Sequence, residues 1–156
     1  MSDAPLAEAP TGTLMAGKRG LIMGVANDRS IAWGIARALA AQGAEVAFTY
    51  QGEALEKRVR PLAESLGSSL VLPCDVTDDA SVDAAFAAIK DAWGGMDFLV
   101  HAIGFANKDY LRGRYLDTPR DVFLQALDIS AYSFVSVSQR AVPLMKNGGS
   151  LLTMSY

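Results

Sequence analysis

The stretch that decides the fold is 20–36, which reads GLIMGVANDRSIAWGIA. It begins as a short apolar run that ends at Gly24, and it continues from Ile31 onward as a segment with helical spacing. A buried strand, a tight turn and a helix N-terminus together can bind a pyrophosphate, because glycine permits close backbone approach and the first helix amides face the anion. The usual three-glycine spacing is absent, so this turn by itself is also compatible with an ordinary strand-to-helix loop.

Strand and helix patterns alternate along the rest of the chain. Short apolar runs predict strands at 20–24, 45–50, 69–73, 97–103 and 150–155. Amphipathic spacing predicts helices at 31–42, 54–66, 81–93 and 130–145, with a loop and a short helix between 105 and 128. Because strands that are apolar throughout are buried on both faces, we expect an α/β fold. Its core is a doubly wound parallel sheet with helices on both faces, Rossmann-like and truncated after the fifth strand.

Residues of the first turn are candidate ligands of a pyrophosphate. Gly24 supplies the close backbone approach, Ser30 can cap the helix or bond a phosphate oxygen, and the amide of Ile31 would point at the anion. Gly34, one turn into the helix, is expected to allow tight packing against the first strand.

The ends of the second and third predicted strands carry side chains suited to an adenosine group. Gln51 can bond a ribose hydroxyl or the adenine edge but cannot neutralise a phosphate, which favours NAD over NADP. Asp75 can accept a hydrogen bond from the adenine amino group, and Val76 can pack on the ring. A solvated turn residue at Gln51 and a turn cap at Asp75 are the open alternatives.

The fourth predicted strand ends in Ala102, Ile103 and Gly104, where glycine lets the chain pass close to a cofactor. The first turn, Gln51, the Asp75–Val76 pair and this glycine segment all lie at carboxyl ends of predicted strands, where open α/β sheets bind ligands. This shared placement is stronger evidence for a ligand site than any one of the four features. His101 lies inside the fourth strand and is the only histidine in the chain. We therefore expect a buried structural histidine there and no metal site.

Composition indicates one globular domain preceded by a tail. Residues 1–16 are rich in Ala, Pro and Thr and contain no Lys or Arg, so we expect a disordered N-terminal tail rather than a signal peptide. Residues 17–156 are expected to form a dinucleotide-binding domain that is incomplete at its C-terminal end.

The net charge of −3, with acids and bases interspersed, argues against a nucleic-acid partner. No apolar run is long enough to span a membrane, and the single cysteine, Cys74, fits the cytoplasm.

Six segments of the chain resemble the bacterial enoyl-acyl carrier protein reductases, a divergent branch of the short-chain dehydrogenases. They are GVANDRSIAWGIA, AFTYQ, CDV, HAIGFA, DISAYSF and LLTMSY. The resemblance covers nearly all of 18–156, with the segments in the right order and at compatible spacings. Many members of this family have Ser at the position of Ala102, so this chain lacks a hydroxyl there but keeps the backbone.

The resemblance implies a role for each candidate residue. NADH would be contacted on its pyrophosphate side by Gly24, Ser30 and Ile31, on its adenosine half by Gln51, Asp75 and Val76, and along its length by Ile103 and Gly104. Ala106 would border the acyl substrate, and Tyr156 matches the first of the family's two active-site tyrosines. The family's second tyrosine and its lysine lie further on than position 156.

The reaction implied by the resemblance is hydride transfer from NADH to the β-carbon of a trans-2-enoyl thioester on acyl carrier protein, in fatty-acid biosynthesis. An enolate develops at the thioester oxygen and must be stabilised before the α-carbon is protonated. The resemblance also implies a homotetramer, with the predicted helix at 130–145 as a candidate interface.

Two alternatives remain open from the sequence. A carbonyl-reducing short-chain dehydrogenase is the first, although such enzymes carry an Asn-Ala-Gly run where this chain has Ala102, Ile103 and Gly104. A nucleotide-binding fragment without catalysis is the second, because the second tyrosine and the lysine are absent and a fifth strand at the end would expose a sheet edge.

Overall fold

The computed structural model describes residues 8–155, and within them five strands form one parallel sheet. The strands are β1 (Arg19–Met23), β2 (Glu45–Tyr50), β3 (Val71–Pro73), β4 (Phe98–His101) and β5 (Ser150–Thr153). Their order across the sheet is β3-β2-β1-β4-β5. The chain moves outward from β1 to β3 and then returns to the other side of β1, so the switch point, where such sheets bind ligands, lies between β1 and β4.

Helices cover both faces of this sheet. They are α1 (Ile31–Ala41), α2 (Glu53–Ser65), α3 (Asp79–Trp93), α4 (Arg120–Leu127) and α5 (Ser133–Ala141). Successive residues of β1 point to opposite faces: Leu21 belongs to the apolar cluster built with α3 and α5, and Ile22 to the cluster built with α1 and α2. The predicted doubly wound α/β sheet is therefore confirmed.

Local signals set the bounds of these elements. Asp78 caps α3 by accepting a 3.0 Å hydrogen bond from the amide of Ala80, and Gly94 ends the helix in the left-handed conformation, at φ 69°. The second strand has its predicted bounds. The third begins at 71 rather than 69, and the fourth ends at 101 rather than 103.

The helix predicted at 130–145 lies within a longer helical segment that is not regular. The backbone is helical from Arg120 to Leu144, but it widens into a π-helical turn at Asp128–Tyr132 and tightens into a 3₁₀ turn at Val142–Leu144. The Ser133 hydroxyl donates a 2.6 Å hydrogen bond to the carbonyl of Ile129, the kind of side-chain bond that perturbs a regular helix. Apolar periodicity does not reveal such a change because the wide turn adds only one residue to the helical repeat.

The expectation of a disordered tail through residue 16 is wrong for residues 10–16. The amide of Gly12 donates to the carbonyl of Ala41 at 2.9 Å, and the amide of Met15 donates to that of Gln42 at 2.9 Å. The Gln42 side chain in turn donates to the carbonyl of Pro10 at 2.7 Å. Carbonyls at a helix C-terminus lack intrahelical donors, and this segment supplies them to α1. The first seven residues of the predicted tail lie outside the described residues.

None of the helices within residues 8–155 is both long enough and apolar enough to cross a membrane.

Candidate dinucleotide-binding site

A cleft of about 390 Å³ opens at the carboxyl ends of β1 to β4, and we call it the switch-point cleft. Four chain segments line it, each at or directly after the end of one of these strands, at 24–26, 49–51, 74–77 and 102–105. Leu55, Gln125 and Ile129 complete the lining from the helices. Parallel strands bring their carboxyl ends to one edge, so the four features predicted separately from the sequence meet in one place.

Only glycine fits the backbone conformation and the surroundings of position 24. Its φ is +99°, and a Cβ atom there would lie 2.6 Å from the carbonyl carbon of Ala102. The first turn therefore passes directly against the end of β4, so two of the four lining segments touch at this point.

Ser30 closes the first turn rather than capping α1. Its Oγ accepts hydrogen bonds from the amides of Ala26 and Asn27, each at 3.0 Å, and no amide of α1 bonds to it. The Asn27 side chain accepts from the amide of Arg29 at 2.9 Å and shapes the same turn. Of the two roles predicted for the Ser30 side chain, the helix cap is not formed, because the hydroxyl is used by loop amides that precede the helix.

Ile31 is the first residue of α1, and its side chain is 66% exposed. Its amide is among the first helix amides, which have no acceptor within their own helix and face outward along the axis. Gly34 does not have the packing role expected from the sequence. It is exposed, and nothing lies within 4 Å of a Cβ atom placed on it. The tight contact of α1 with the sheet comes instead from buried Ala32, Trp33 and Ala36.

A hydrogen-bonded group joins the ends of β2 and β3. Gln51 donates from Nε2 to Oδ2 of Asp75 at 2.9 Å. The other oxygen of Asp75 accepts from the amide of Thr77 at 2.9 Å and from its hydroxyl at 2.7 Å. The bonds from Thr77, and then the bond from Gln51, hold the pKa of Asp75 below the usual range, because they stabilise the charged form. The cleft therefore presents an oriented, ionised carboxylate beside Val76.

Cys74 directly precedes Asp75 in the chain, and its side chain is buried. Burial raises the pKa of its thiol to about 11, and the neighbouring Asp75 charge adds to the increase. The side chain is consequently a neutral thiol in the floor of the cleft rather than a nucleophile.

The fourth segment leaves β4 through Ile103 and Gly104, both of which line the cleft. The next residue, Phe105, is held by Ser130, whose hydroxyl accepts from the Phe105 amide at 3.0 Å and lies 3.2 Å from its carbonyl. Ala106 is exposed and does not line the switch-point cleft. Tyr156 lies outside the described residues.

His101, at the end of β4, is fully buried. Its two ring nitrogens lie 3.0 Å from Oγ1 of Thr153 and 2.7 Å from Oγ of Ser133. Burial lowers the pKa of the imidazole, which keeps it neutral. The prediction of a buried structural histidine is confirmed. Within the described part of the chain, no three His, Cys, Asp or Glu side chains are arranged to hold a metal ion.

Sequence reasoning missed several lining residues. Thr77 orients Asp75, and its position two residues after an acid at a strand end is a signal that could have been used. Gln125 and Ile129 reach the cleft from α4 and the wide turn. No local pattern marks them, because their approach to the cleft depends on how this helix crosses the sheet.

The parallel sheet with a cleft at its switch point defines a nucleotide-binding domain of the Rossmann-like class. Residues 24–156 match the family described as Enoyl-(Acyl carrier protein) reductase. The chain belongs to this family.

Curated relatives support the same assignment. The chain is 61% identical over 143 residues to enoyl-acyl-carrier-protein reductase (NADH) 1 of Rhizobium meliloti, an alignment that covers 92% of this chain and 53% of the relative. It is 50% identical over 146 residues to the corresponding NADH enzyme of Rickettsia typhi, covering 94% of this chain and 56% of the relative. The chain thus spans about half the length of the curated relatives it matches.

Solved structures agree with the fold. The enoyl-acyl-carrier-protein reductase of Anaplasma phagocytophilum in complex with NAD superposes with a TM-score of 0.91 at 57% identity, covering 95% of this chain and 56% of that one. The Bacillus cereus enzyme with NADP⁺ and indole naphthyridinone gives a TM-score of 0.89 at 51% identity, and the match covers 92% of this chain and 56% of that one.

Proposed function

We propose that this chain forms the cofactor-binding part of an NADH-dependent enoyl-acyl carrier protein reductase, which reduces trans-2-enoyl thioesters in fatty-acid biosynthesis. The observation that carries the proposal is the meeting of four family-like segments in the switch-point cleft, where an open α/β sheet binds a dinucleotide. The relatives named above are NADH-dependent reductases, and one neighbouring structure contains NAD.

The residues of the cleft fit a dinucleotide. Gly24 leaves the first turn without a side chain where a Cβ atom would collide with β4, and the start of α1 offers the amide of Ile31 to a pyrophosphate. Ser30 serves this half indirectly by holding the amides of Ala26 and Asn27 in place. We assign the pyrophosphate side of the cofactor to this turn.

The adenosine half is assigned to Gln51, Asp75 and Val76. The Asp75 carboxylate is ionised and has a defined orientation, so it can accept a hydrogen bond from an exocyclic amino group without further ordering. A ribose 2′-phosphate near Gln51 would face this carboxylate, and Lys57, one turn into α2, is already paired with Glu53 at 2.6 Å. Both facts favour NADH over NADPH.

The nicotinamide half is assigned to Ile103 and Gly104, with Ala106 toward the acyl group and Tyr156 as an active-site tyrosine. NADH supplies the hydride when it is bound. The residues of this chain position the cofactor and exclude water: Ile103 gives the cleft an apolar wall, and Ser130 holds Phe105 beside it. In this proposal Tyr156 is the first of two active-site tyrosines, and the family's second tyrosine is the one that stabilises the negative charge developing on the thioester oxygen.

We further propose a homotetramer that works on acyl carrier protein in the cytoplasm. The helical segment from α4 to α5 exposes large apolar side chains, which are Phe123, Leu124, Leu127, Tyr132, Val135 and Val142. Exposed apolar side chains that lie close together in this way are typical of a contact between subunits. The single buried thiol is compatible with a reducing compartment.

Two measurements test the proposed function. The isolated chain should bind NADH more tightly than NADPH in a fluorescence titration, and binding should be lost when Gly24 is replaced. The complete polypeptide should oxidise NADH with a crotonyl thioester. Reduction of a simple ketone but not of the thioester would identify a carbonyl reductase instead, and NADH binding without any turnover would identify a non-catalytic nucleotide-binding protein.

A further inference from the structure

His101 connects three elements that meet behind the switch-point cleft. Its side chain lies between Ser133 at the start of α5 and Thr153 at the end of β5. Its backbone carbonyl accepts a 3.0 Å hydrogen bond from the amide of Met154. The residues that follow it, Ile103 and Gly104, line the cleft. One residue therefore links the cofactor cleft to the carboxyl end of the edge strand.

The hydrogen bonds specify the tautomer of this imidazole. Ser133 has one hydroxyl proton, which it donates to the carbonyl of Ile129 at 2.6 Å. Toward His101 the same oxygen can only accept, so Nε2 carries the ring proton. In a neutral ring Nδ1 is then an acceptor, and the Thr153 hydroxyl donates to it over 3.0 Å. Every donor in this chain of contacts has an acceptor.

The π-helical turn at Asp128–Tyr132 is flanked and occupied by the residues that make these contacts. Ser130, within the turn, bonds the backbone of Phe105 at the cleft. Ser133, directly after the turn, reaches His101. Wide turns of this kind are frequent at functional sites. They redirect side chains that a regular helix would point elsewhere. Here the turn directs one hydroxyl to the cofactor cleft and another to the histidine.

These contacts hold the carboxyl end of β5. It is an edge strand that pairs with β4 and with no other strand of residues 8–155. Within it Leu152 is 46% exposed, so burial anchors the strand weakly. Thr153 is the register partner of His101, and it precedes Tyr156 by three positions.

We propose that His101 is a positioning residue. Its neutral, Nε2-protonated imidazole ties Thr153 to Ser133 and thereby fixes the segment that leads to Tyr156 against the cofactor cleft. The effect on turnover rests on the proposed function, in which Tyr156 is an active-site tyrosine. The hydrogen-bonded link from Ser133 through His101 to Thr153 does not rest on it.

The tie is tested on the chain without any assay of activity. Nitrogen-15 NMR of the single histidine should show a neutral ring protonated at Nε2. Replacing Thr153 by Val keeps the shape but removes the hydroxyl, and we expect the Met154 amide to exchange with solvent about fivefold faster, while amides of β1 are unchanged. Ser68→Ala is the matched control, since it removes a buried hydroxyl that bonds the carbonyl of Val46 far from β5. A ring protonated at Nδ1, or a Thr153→Val effect no larger than that of Ser68→Ala, would overturn the proposal.

The consequence for the reaction is tested in the complete polypeptide. Thr153→Val should lower kcat by about tenfold or more while KM for NADH stays within about twofold, since small displacements of a reacting group cost large factors in rate. His101→Gln retains one donor and one acceptor and should preserve most of kcat, whereas His101→Leu should lose it. If kcat is unchanged in Thr153→Val although exchange at Met154 is faster, the positioning role is excluded. If the wild-type polypeptide is inactive, the proposed function fails, and the NMR and exchange results still decide whether the tie exists.

Discussion

Nε2 of Gln51 donates a 2.9 Å hydrogen bond to Oδ2 of Asp75 and so joins the carboxyl ends of β2 and β3. The two residues are 24 positions apart in the chain. Together with the two bonds from Thr77, this contact gives the carboxylate one orientation at the end of the cleft assigned to adenosine.

Asp75→Ala is therefore expected to weaken NADH binding by about tenfold or more, because hydrogen bonds to charged groups contribute more than neutral ones. Fluorescence titration of the chain with NADH measures the effect. Asp91→Ala removes an exposed carboxylate from α3 and serves as the charge-matched control. Equal affinities for the Asp75 and Asp91 variants would show that the carboxylate is not a cofactor ligand.

Gly24 and Gly34 should respond in opposite ways to the same substitution. Gly24→Ala forces a side chain into a backbone with φ +99° and against the carbonyl of Ala102, so we expect a loss of roughly 1–3 kcal/mol in unfolding free energy and loss of NADH binding. Gly34→Ala adds a methyl group in open space within α1, so we expect a gain of about 0.5–1 kcal/mol. Urea unfolding of both variants checks the signs. A stable Gly24→Ala protein that binds NADH would contradict the close approach of the first turn to β4.

His101 should make the stability of the chain depend on pH. Burial lowers the pKa of the folded imidazole, whereas the unfolded chain takes up a proton near the ordinary pKa of about 6.5. Below that pH the unfolded state binds more protons than the folded state. The unfolding free energy is therefore unaffected by this histidine above about pH 6.5. It decreases as the pH falls toward the lowered pKa, by at most about 1.4 kcal/mol per pH unit.

Urea unfolding between pH 7.5 and pH 5, compared with His101→Gln, isolates this contribution, since the chain has one histidine. The carboxylates of Asp75 and Asp97 have lowered pKa values, so the stability that they contribute is lost only at more acidic pH. The same slope in wild type and variant would mean that the imidazole takes up its proton at the same pH in the folded and the unfolded chain.

Cys74 should report on both folding and cofactor binding. With the thiol pKa raised to about 11 and the side chain buried, alkylation at pH 8 should be at least about a hundredfold slower in the folded chain than in urea. Saturating NADH should slow it further, because Cys74 lines the cleft. The chain has one cysteine, so the label reports a single position. Rapid labelling of the folded chain would contradict the buried thiol, and rates unaffected by NADH would argue against a cofactor in this cleft.

The sequence by itself determined the order of strands and helices and the residues that follow each strand. These depend on local patterns: the apolar runs of β1 and β4, the spacing of α1 and α3, and glycine or polar residues at strand ends. Because parallel sheets bind ligands at the carboxyl ends of their strands, the same patterns place Gly24, Gln51, Asp75 and Ile103 at one edge of the sheet.

Only the tertiary structure decided how these residues are used. Ser30 bonds loop amides instead of capping α1, and Gly34 faces open space rather than the sheet. Two further features join residues that are distant in the chain. They are the contact of Gln51 with Asp75 and the hydrogen-bonded link from Ser133 through His101 to Thr153. The π-helical turn, in contrast, depends on a single hydroxyl. Residue periodicity reports which face of an element is buried. It does not report which hydrogen-bond partner a side chain meets there, because that depends on how helices and strands pack against one another.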